Sequence, residues 1–216
     1  AGQGAPLQIV SQCVVEQIYQ QEGTATALAT SRGVLPLGQA KLVLAMGTLP
    51  PATLIRNSFP QASNVGRRFS AHFISAITAR VPKADLGLSG QTDLEMAACY
   101  VAGIGEDFQQ QFHIQLSAMW DKYPQQNAGI ALRYMPDVVS TASMAQLQSS
   151  EGYVVFICAV LGELDFRNPQ NFFLHNPQDQ DLTSNSLLQV TQNAADFSTW
   201  QAMDDATFAV LEQVLS

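Results

Sequence analysis

Long segments in which apolar and polar residues alternate constrain the fold of this chain more than any other feature. Residues 72–82, HFISAITARVP, and residues 111–121, QFHIQLSAMWD, follow this pattern along their length. Successive side chains of a β-strand point to opposite faces, so alternation is typical of a strand with one buried face. Because the two strands are long and are not adjacent in sequence, the pattern predicts an antiparallel sheet.

Later segments extend this predicted sheet. Residues 151–166, 171–175 and 186–193 are rich in β-branched and aromatic residues and predict further strands. The chain then changes period, and residues 199–216 predict a helix with acidic residues near its start. The predicted apolar stripe of this helix consists of Phe208, Leu211, Val214 and Leu215.

The first third of the chain has the character of a smaller α/β structure. Residues 7–21 and 24–33 are separated by turn-forming residues and predict a small antiparallel sheet. Residues 40–46, AKLVLAM, predict a buried strand that runs through Gly47 into a short helix over residues 51–58. A strand that ends at a glycine turn and a helix start is a common approach to a phosphate or a ring cofactor in α/β proteins.

Composition excludes several classes of partner. The chain of 216 residues carries a net charge of −8, and its nearest approach to a basic cluster is Arg67-Arg68. Nucleic-acid binding relies on a dense basic face, so we expect no nucleic-acid partner. No apolar run approaches the roughly 18–20 residues that cross a bilayer, so we expect no membrane partner. The three cysteines, Cys13, Cys99 and Cys158, lie far apart and predict neither a metal site nor a disulfide framework.

The strand at 111–121 carries the candidate substrate-binding residues. Its alternation places His113, Gln115 and Ser117 on one face. The opposite face carries the apolar residues Phe112, Ile114, Leu116 and Ala118. Two interpretations of the polar face stay open: it lines a pocket that hydrogen-bonds a hydroxyl-rich substrate, or it is a strand face in contact with solvent.

Other reactive side chains have weaker patterns. Glu163 and Asp165 lie two residues apart on a predicted strand, so their carboxylates share a face and could do acid–base chemistry; the alternative is a solvated pair. His72 opens a predicted strand, where a structural role is the simpler interpretation. The chain contains no serine-hydrolase elbow, phosphate-binding loop, zinc-protease motif or dinucleotide-binding glycine motif.

Residues 40–60 followed by residues 64–73 resemble the second signature of the glucose–methanol–choline (GMC) flavoprotein oxidoreductases. In that family a strand ends at a glycine, a short helix ends near a serine, and a Val-Gly-Arg segment and a histidine follow. The later strands are loosely similar to the pyranose oxidase branch. The residues that match the signature are Gly47, Leu54, Ile55, Ser58, Val65, Gly66, Arg67 and His72.

The resemblance implies an α+β fold in two parts. Residues 1–72 would be a portion of an FAD-binding α/β domain. Residues 73–198 would be the substrate-binding domain, a large and mostly antiparallel sheet with helices on one side, and residues 199–216 a helix that leads back toward the FAD domain. By the same resemblance, Val15 and Gly47 would lie near the FAD, and His113 and Gln115 would bind the substrate.

The resemblance also implies an activity for the whole enzyme. An alcohol or sugar hydroxyl would be oxidised by hydride transfer to FAD. The family's dinucleotide-binding motif would lie before residue 1 and its catalytic histidine beyond Ser216, so we expect an internal segment or subunit that contains no catalytic residue and is inactive alone. Its partners would then be an alcohol or sugar substrate and the N- and C-terminal parts of the same enzyme, and an oligomer is compatible with this.

The alternative is a non-catalytic binding or structural protein that retains only the substrate-domain sheet.

Overall fold

A computed structural model describes residues 4, 7–88, 93–104, 111–135, 137 and 141–215. The fold is α+β, with several antiparallel sheets and few helices, as the sequence predicts. The chain divides into two compact units: Ala1–Phe69 with Phe166–Thr191, and Ser70–Asp165 with Gln192–Ser216. Residues 166–191 therefore group with the first part of the chain, whereas the sequence analysis assigned them to the domain at 73–198.

The elements follow one another along the chain with short connections. The strands are β1 (Val15–Gln21), β2 (Thr24–Thr30), β3 (Gly33–Pro36), β4 (His72–Pro82), β5 (Glu95–Ile104), β6 (Gln111–Trp120), β7 (Tyr153–Glu163), β8 (Phe172–His175) and β9 (Ser186–Gln189). The helices are α1 (Leu49–Ser58), α2 (Pro124–Tyr134), α3 (Met144–Gln148) and α4 (Ala194–Leu215). Within the described residues, no helix combines the length and the apolar character that a membrane span requires.

The first unit contains two small antiparallel sheets and one helix. Strands β1, β2 and β3 form a sheet in that order, and α1 buries Leu54 against Ile18 and Leu28 of this sheet. Strands β8 and β9 pair with each other. Arg56 joins α1 to this pair, because its Nη1 donates to the Phe173 carbonyl at 2.9 Å and its Nη2 to Ser186 Oγ at 2.7 Å.

The prediction of a buried strand at residues 40–46 is wrong. The segment is not a strand in the structure, although its alternation does have a physical basis. Leu42 and Leu44 pack against the core of the first unit, whereas Val43 between them is 79% exposed. Burial of every second side chain needs only an apolar surface on one side of the segment. A strand also needs a hydrogen-bonded neighbour, and the described residues provide none beside this segment.

The second unit is built on a four-stranded antiparallel sheet in the order β4-β7-β6-β5. One face of this sheet packs against α4, where Ile114 of β6 and Val160 of β7 lie in the same cluster as Met203 of the helix. Among the described residues, the cover of the other face comes from α2 and α3, which pack at one end on Met119 and Val155. The two central strands therefore have apolar neighbours on both faces, and this arrangement explains the long apolar run of β7.

Helix α4 begins earlier than the sequence analysis predicts. It starts at Ala194 instead of residue 199, because Asn193 and Asp196 cap it reciprocally: the Asp196 N–H donates to Asn193 Oδ1 at 3.1 Å, and the Asn193 N–H donates to Asp196 Oδ2 at 2.8 Å. The predicted stripe is correct at Leu211 and wrong at Phe208, which is 53% exposed. The side chains of Val214 and Leu215, and all of Ser216, lie outside the described residues.

We expect Ile114→Ala to lower the free energy of unfolding by about 2–5 kcal/mol, since the side chain is 1% exposed and its removal leaves a cavity in the core. The matched control is Ile104→Ala on β5, where the side chain is 57% exposed and the cost should stay within about 0.5 kcal/mol. Urea denaturation of both variants measures the two values. Equal losses would contradict the assignment of Ile114 to the core.

Gly66 and Gly47 offer a second matched pair, because their φ angles are +79° and +78°. A Cβ at Gly47 meets no atom within 4 Å, whereas a Cβ at Gly66 would lie 1.8 Å from the Phe173 carbonyl oxygen. Gly47→Ala should therefore cost only the left-handed backbone strain, about 1–2 kcal/mol. Gly66→Ala should cost more, since β8 must move as well. Thermal unfolding of the two variants tests this order, and equal costs would refute the close approach at Gly66.

Candidate functional site

The candidate site lies on the face of the four-stranded sheet that carries His113, Gln115 and Ser117, which we call the open face. Helices α2 and α3 cover this face at its Met119 end. Toward the opposite end the side chains become accessible: Tyr100 is 64% exposed, and Ile74 and Ile104 are also exposed. The open face thus combines apolar side chains with a short row of polar ones.

Strand register determines which side chains meet on this face. Gln115 lies opposite Tyr100 of β5 and Ala159 of β7, and His113 lies opposite Ala102 and Leu161. Residues that face each other across a ladder share one side of the sheet. Each of these two polar residues of β6 is therefore flanked by one alanine and one larger side chain, Tyr100 beside Gln115 and Leu161 beside His113.

His113 and Gln115 are joined by a hydrogen bond. Gln115 Nε2 lies 3.1 Å from His113 Nε2, and the Tyr100 ring centroid lies 6.2 Å from that of His113. In this orientation the amide nitrogen donates, so His113 Nε2 accepts and the imidazole proton is on Nδ1. Rotation of the amide reverses both roles. In either orientation only one of the two polar atoms of the amide has a partner.

Two buried polar atoms on β6 have no hydrogen-bond partner among the described residues. These are Gln115 Oε1, on a side chain that is 8% exposed, and Ser117 Oγ, which lies one position deeper under the covered end. An unpaired buried polar group costs about 1–3 kcal/mol. Native proteins keep few such groups without a partner, so each of them is a position where an ordered water or a ligand group can bind.

Glu163 and Asp165, predicted as a carboxylate pair, accept hydrogen bonds from different elements of the second unit. Glu163 is the last residue of β7 and accepts a hydrogen bond from Ser70 Oγ at 3.0 Å, whereas Asp165 lies beyond the strand and accepts one from Asn193 Nδ2 at 3.1 Å. The strand ends between them, so the period-two rule no longer places them on one face. His72 opens β4, as predicted, opposite Glu163.

The residues predicted to lie near FAD belong to the first unit. Val15, the first residue of β1, borders an apolar cavity of about 350 Å³ together with Met46, Pro50 and Leu54. Gly47 follows Met46 and turns the chain into α1, but it does not line this cavity. The volume is near the lower limit for small-molecule pockets, so the cavity beside Val15 has room for one ring system and not for a whole dinucleotide.

Sequence analysis missed Tyr100, because it did not predict strand β5. That strand contains Ala97, Ala98, Ala102 and Gly103, residues of low β-propensity, and it alternates weakly. The signal that could have revealed it is the spacing of Met96, Tyr100 and Ile104, which recur on one face of a strand.

We expect Ser117→Ala to leave the free energy of unfolding unchanged or to raise it slightly, since the substitution removes a buried hydroxyl that has no partner. Ser75→Ala is the matched control: this serine is also buried, but its Oγ donates to Asp204 on α4, so its loss should cost about 1–3 kcal/mol. Denaturant unfolding of both variants tests the contrast. A larger loss for Ser117→Ala would show that its hydroxyl is bonded in solution.

No protein-family model, no curated protein and no solved structure matches this chain. Its function is therefore inferred from the geometry described above and from the resemblance of its short signature.

Proposed function

We propose that this chain is an internal segment or subunit of an FAD-dependent oxidoreductase of the GMC type, which oxidises an alcohol or sugar hydroxyl. Its role in that enzyme is to bind and orient the substrate on the open face. The observation that carries the proposal is the Gln115 amide: it is buried beside His113, one of its two polar atoms has no partner among the described residues, and Tyr100 opposite it is exposed.

Neutral hydrogen-bonding groups suit a hydroxyl-bearing ligand. A hydroxyl both donates and accepts, so it can satisfy either end of the Gln115 amide or a ring nitrogen of His113. The apolar side chains of Tyr100 and Ile104 provide a surface for the carbon skeleton. A charged ligand would find no opposite charge at this position, since the side chains that flank Gln115 and His113 are uncharged.

Val15 and the segment around Gly47 would contact the cofactor. When bound, FAD supplies the hydride acceptor for the reaction. The role of this chain would be to hold the reacting hydroxyl in one orientation. Reactants that are already correctly placed have less translational and rotational entropy to lose in the transition state, so the activation barrier is lower. Removal of the hydroxyl proton would fall to the family's histidine, which the resemblance expects outside this chain.

In the enzyme that contains this chain, Gln115→Ala and His113→Ala should each raise KM or lower kcat by roughly 5- to 150-fold, the equivalent of losing one hydrogen bond to a buried group. Thermal stability should change little. The control is Gln126→Ala on α2, at an exposed position outside the row of polar residues on β6. Steady-state kinetics with a series of alcohols and sugars provides the measurement. Unchanged kinetics in both test variants would refute the substrate role of the open face.

The cofactor is tested separately. The intact protein, purified without added flavin, should be yellow and should release FAD on denaturation. A colourless protein that binds polyols, and loses that binding in Gln115→Ala, would instead support the alternative of a non-catalytic binding protein.

A further inference from the structure

We propose that two copies of this chain associate through the outer edge of β5, which joins their four-stranded sheets into one sheet of eight strands. Strand β5 lies at one end of the order β4-β7-β6-β5. All ten of its residues pair with β6 on the inner side, and no strand among the described residues pairs with the outer side. The backbone N–H and C=O groups of that outer side are therefore open to another strand.

The outer edge of β5 lacks the features by which proteins usually prevent strands from associating. Such features are charged residues, prolines and bulges. After Glu95 the strand contains nine uncharged residues and no proline, and its register with β6 is unbroken. The edge strand at the other end of the sheet, β4, carries exposed Arg80 and ends at Pro82. Of the two edges, β5 is therefore the less protected one.

The residues of β5 are arranged symmetrically by size about Tyr100, and this pattern identifies the occupant of the edge as a second copy. A two-fold interface places the same surface on both subunits, so the strand must be complementary to itself. In an antiparallel pair centred on Tyr100, each residue meets one of similar size. The pairs are Met96 with Ile104, Ala97 with Gly103, Ala98 with Ala102, Cys99 with Val101, and Tyr100 with Tyr100 of the second copy.

This register also covers the exposed apolar side chains of β5. Met96, Tyr100 and Ile104 lie on the open face and are all exposed. Aromatic and apolar side chains that lie directly opposite each other stabilise the pairing of two strands. In the proposed register Tyr100 packs against its equivalent at the axis, and Met96 packs against Ile104 of the second copy. A shift of register would place these large side chains opposite the alanines.

Charge does not oppose this association, although the chain has a net charge of −8. Glu95 is the only charged residue of β5. In the proposed register the two copies of Glu95 lie at opposite ends of the strand pair, about 34 Å apart at 3.4 Å per residue. Charges in solvent are screened beyond about 8–10 Å at physiological salt. The outer edge of β5 is thus a part of this acidic chain where two copies meet without repulsion.

The size of the interface predicts a reversible dimer. Standard interfaces bury about 800 Å² on each partner with 20–30 residues, so the nine residues that pair here bury about 300 Å² per copy. The total is below the roughly 1,000 Å² of a stable interface. We therefore expect the dimer to form only at high protein concentration.

Association through β5 would make the open face continuous across both copies. Gln115 lies opposite Tyr100 on the neighbouring strand. The two Gln115 side chains would then be three strand spacings, or about 14 Å, apart on the same face. The inference itself uses only the edge of β5 and its residue pattern, so it does not depend on the proposed function.

Sedimentation velocity of the full chain at increasing concentration tests the association. We expect monomers at about 10 μM and a dimer fraction that rises toward about 1 mM. Tyr100→Lys places two like charges opposite each other at the axis and should weaken association about tenfold or more. The matched control is Tyr134→Lys on α2, since Tyr134 is also exposed, at 67%, and lies outside β5. It should change the association less than about threefold.

Cross-linking tests the register. We use Tyr100→Cys in a chain that also carries Cys13→Ser and Cys99→Ser, because the remaining Cys158 is buried. Directly opposite residues have Cβ atoms about 4.5–5.5 Å apart, so mild oxidation should give a disulfide-linked dimer. Gln126→Cys in the same background is the control at an exposed position on α2 and should give much less.

Four results would overturn the proposal. These are a monomer at every concentration, growth into particles larger than a dimer, equal effects of the two lysine variants, and equal cross-linking of the two cysteine variants. Growth beyond the dimer would mean that β5 pairs with a different edge, because only a two-fold contact closes at two subunits. Circular dichroism melting checks the fold of each variant, and the cross-linking result provides the second measurement if Tyr100→Lys unfolds.

Discussion

The pairing of β7 with both of its neighbours is the constraint on which the second unit depends. All eleven residues of β4 pair with β7 in unbroken register, and β6 pairs along its other edge. Seven consecutive residues of β7, from Val154 to Val160, are buried. Because both faces of β7 must be covered, the sheet recruits α4 on one side and α2 with α3 on the other. The candidate site is accessible because, among the described residues, α2 and α3 cover only the Met119 end of this face.

This arrangement explains how the protein retains polar atoms without partners. The row of His113, Gln115 and Ser117 lies on β6, which is held on both edges by neighbouring strands and on its opposite face by the apolar cluster around Ile114. Strand β6 is thus fixed at both edges and on its apolar face. It can carry an unpaired amide on the remaining face, because the backbone hydrogen bonds of the sheet do not depend on that side chain. On an edge strand the same amide could turn toward solvent and find water. The central position therefore keeps the Gln115 side chain on the open face, next to His113.

The sequence predicts well those features that a short pattern encodes. The bounds of β4 match the predicted segment, and the two faces of β6 follow from alternation alone. Three features depended on partners that no local pattern reveals. The segment at 40–46 alternates but has no strand beside it, β5 pairs despite its alanines because β6 offers an open edge, and α4 starts early because Asn193 meets Asp196.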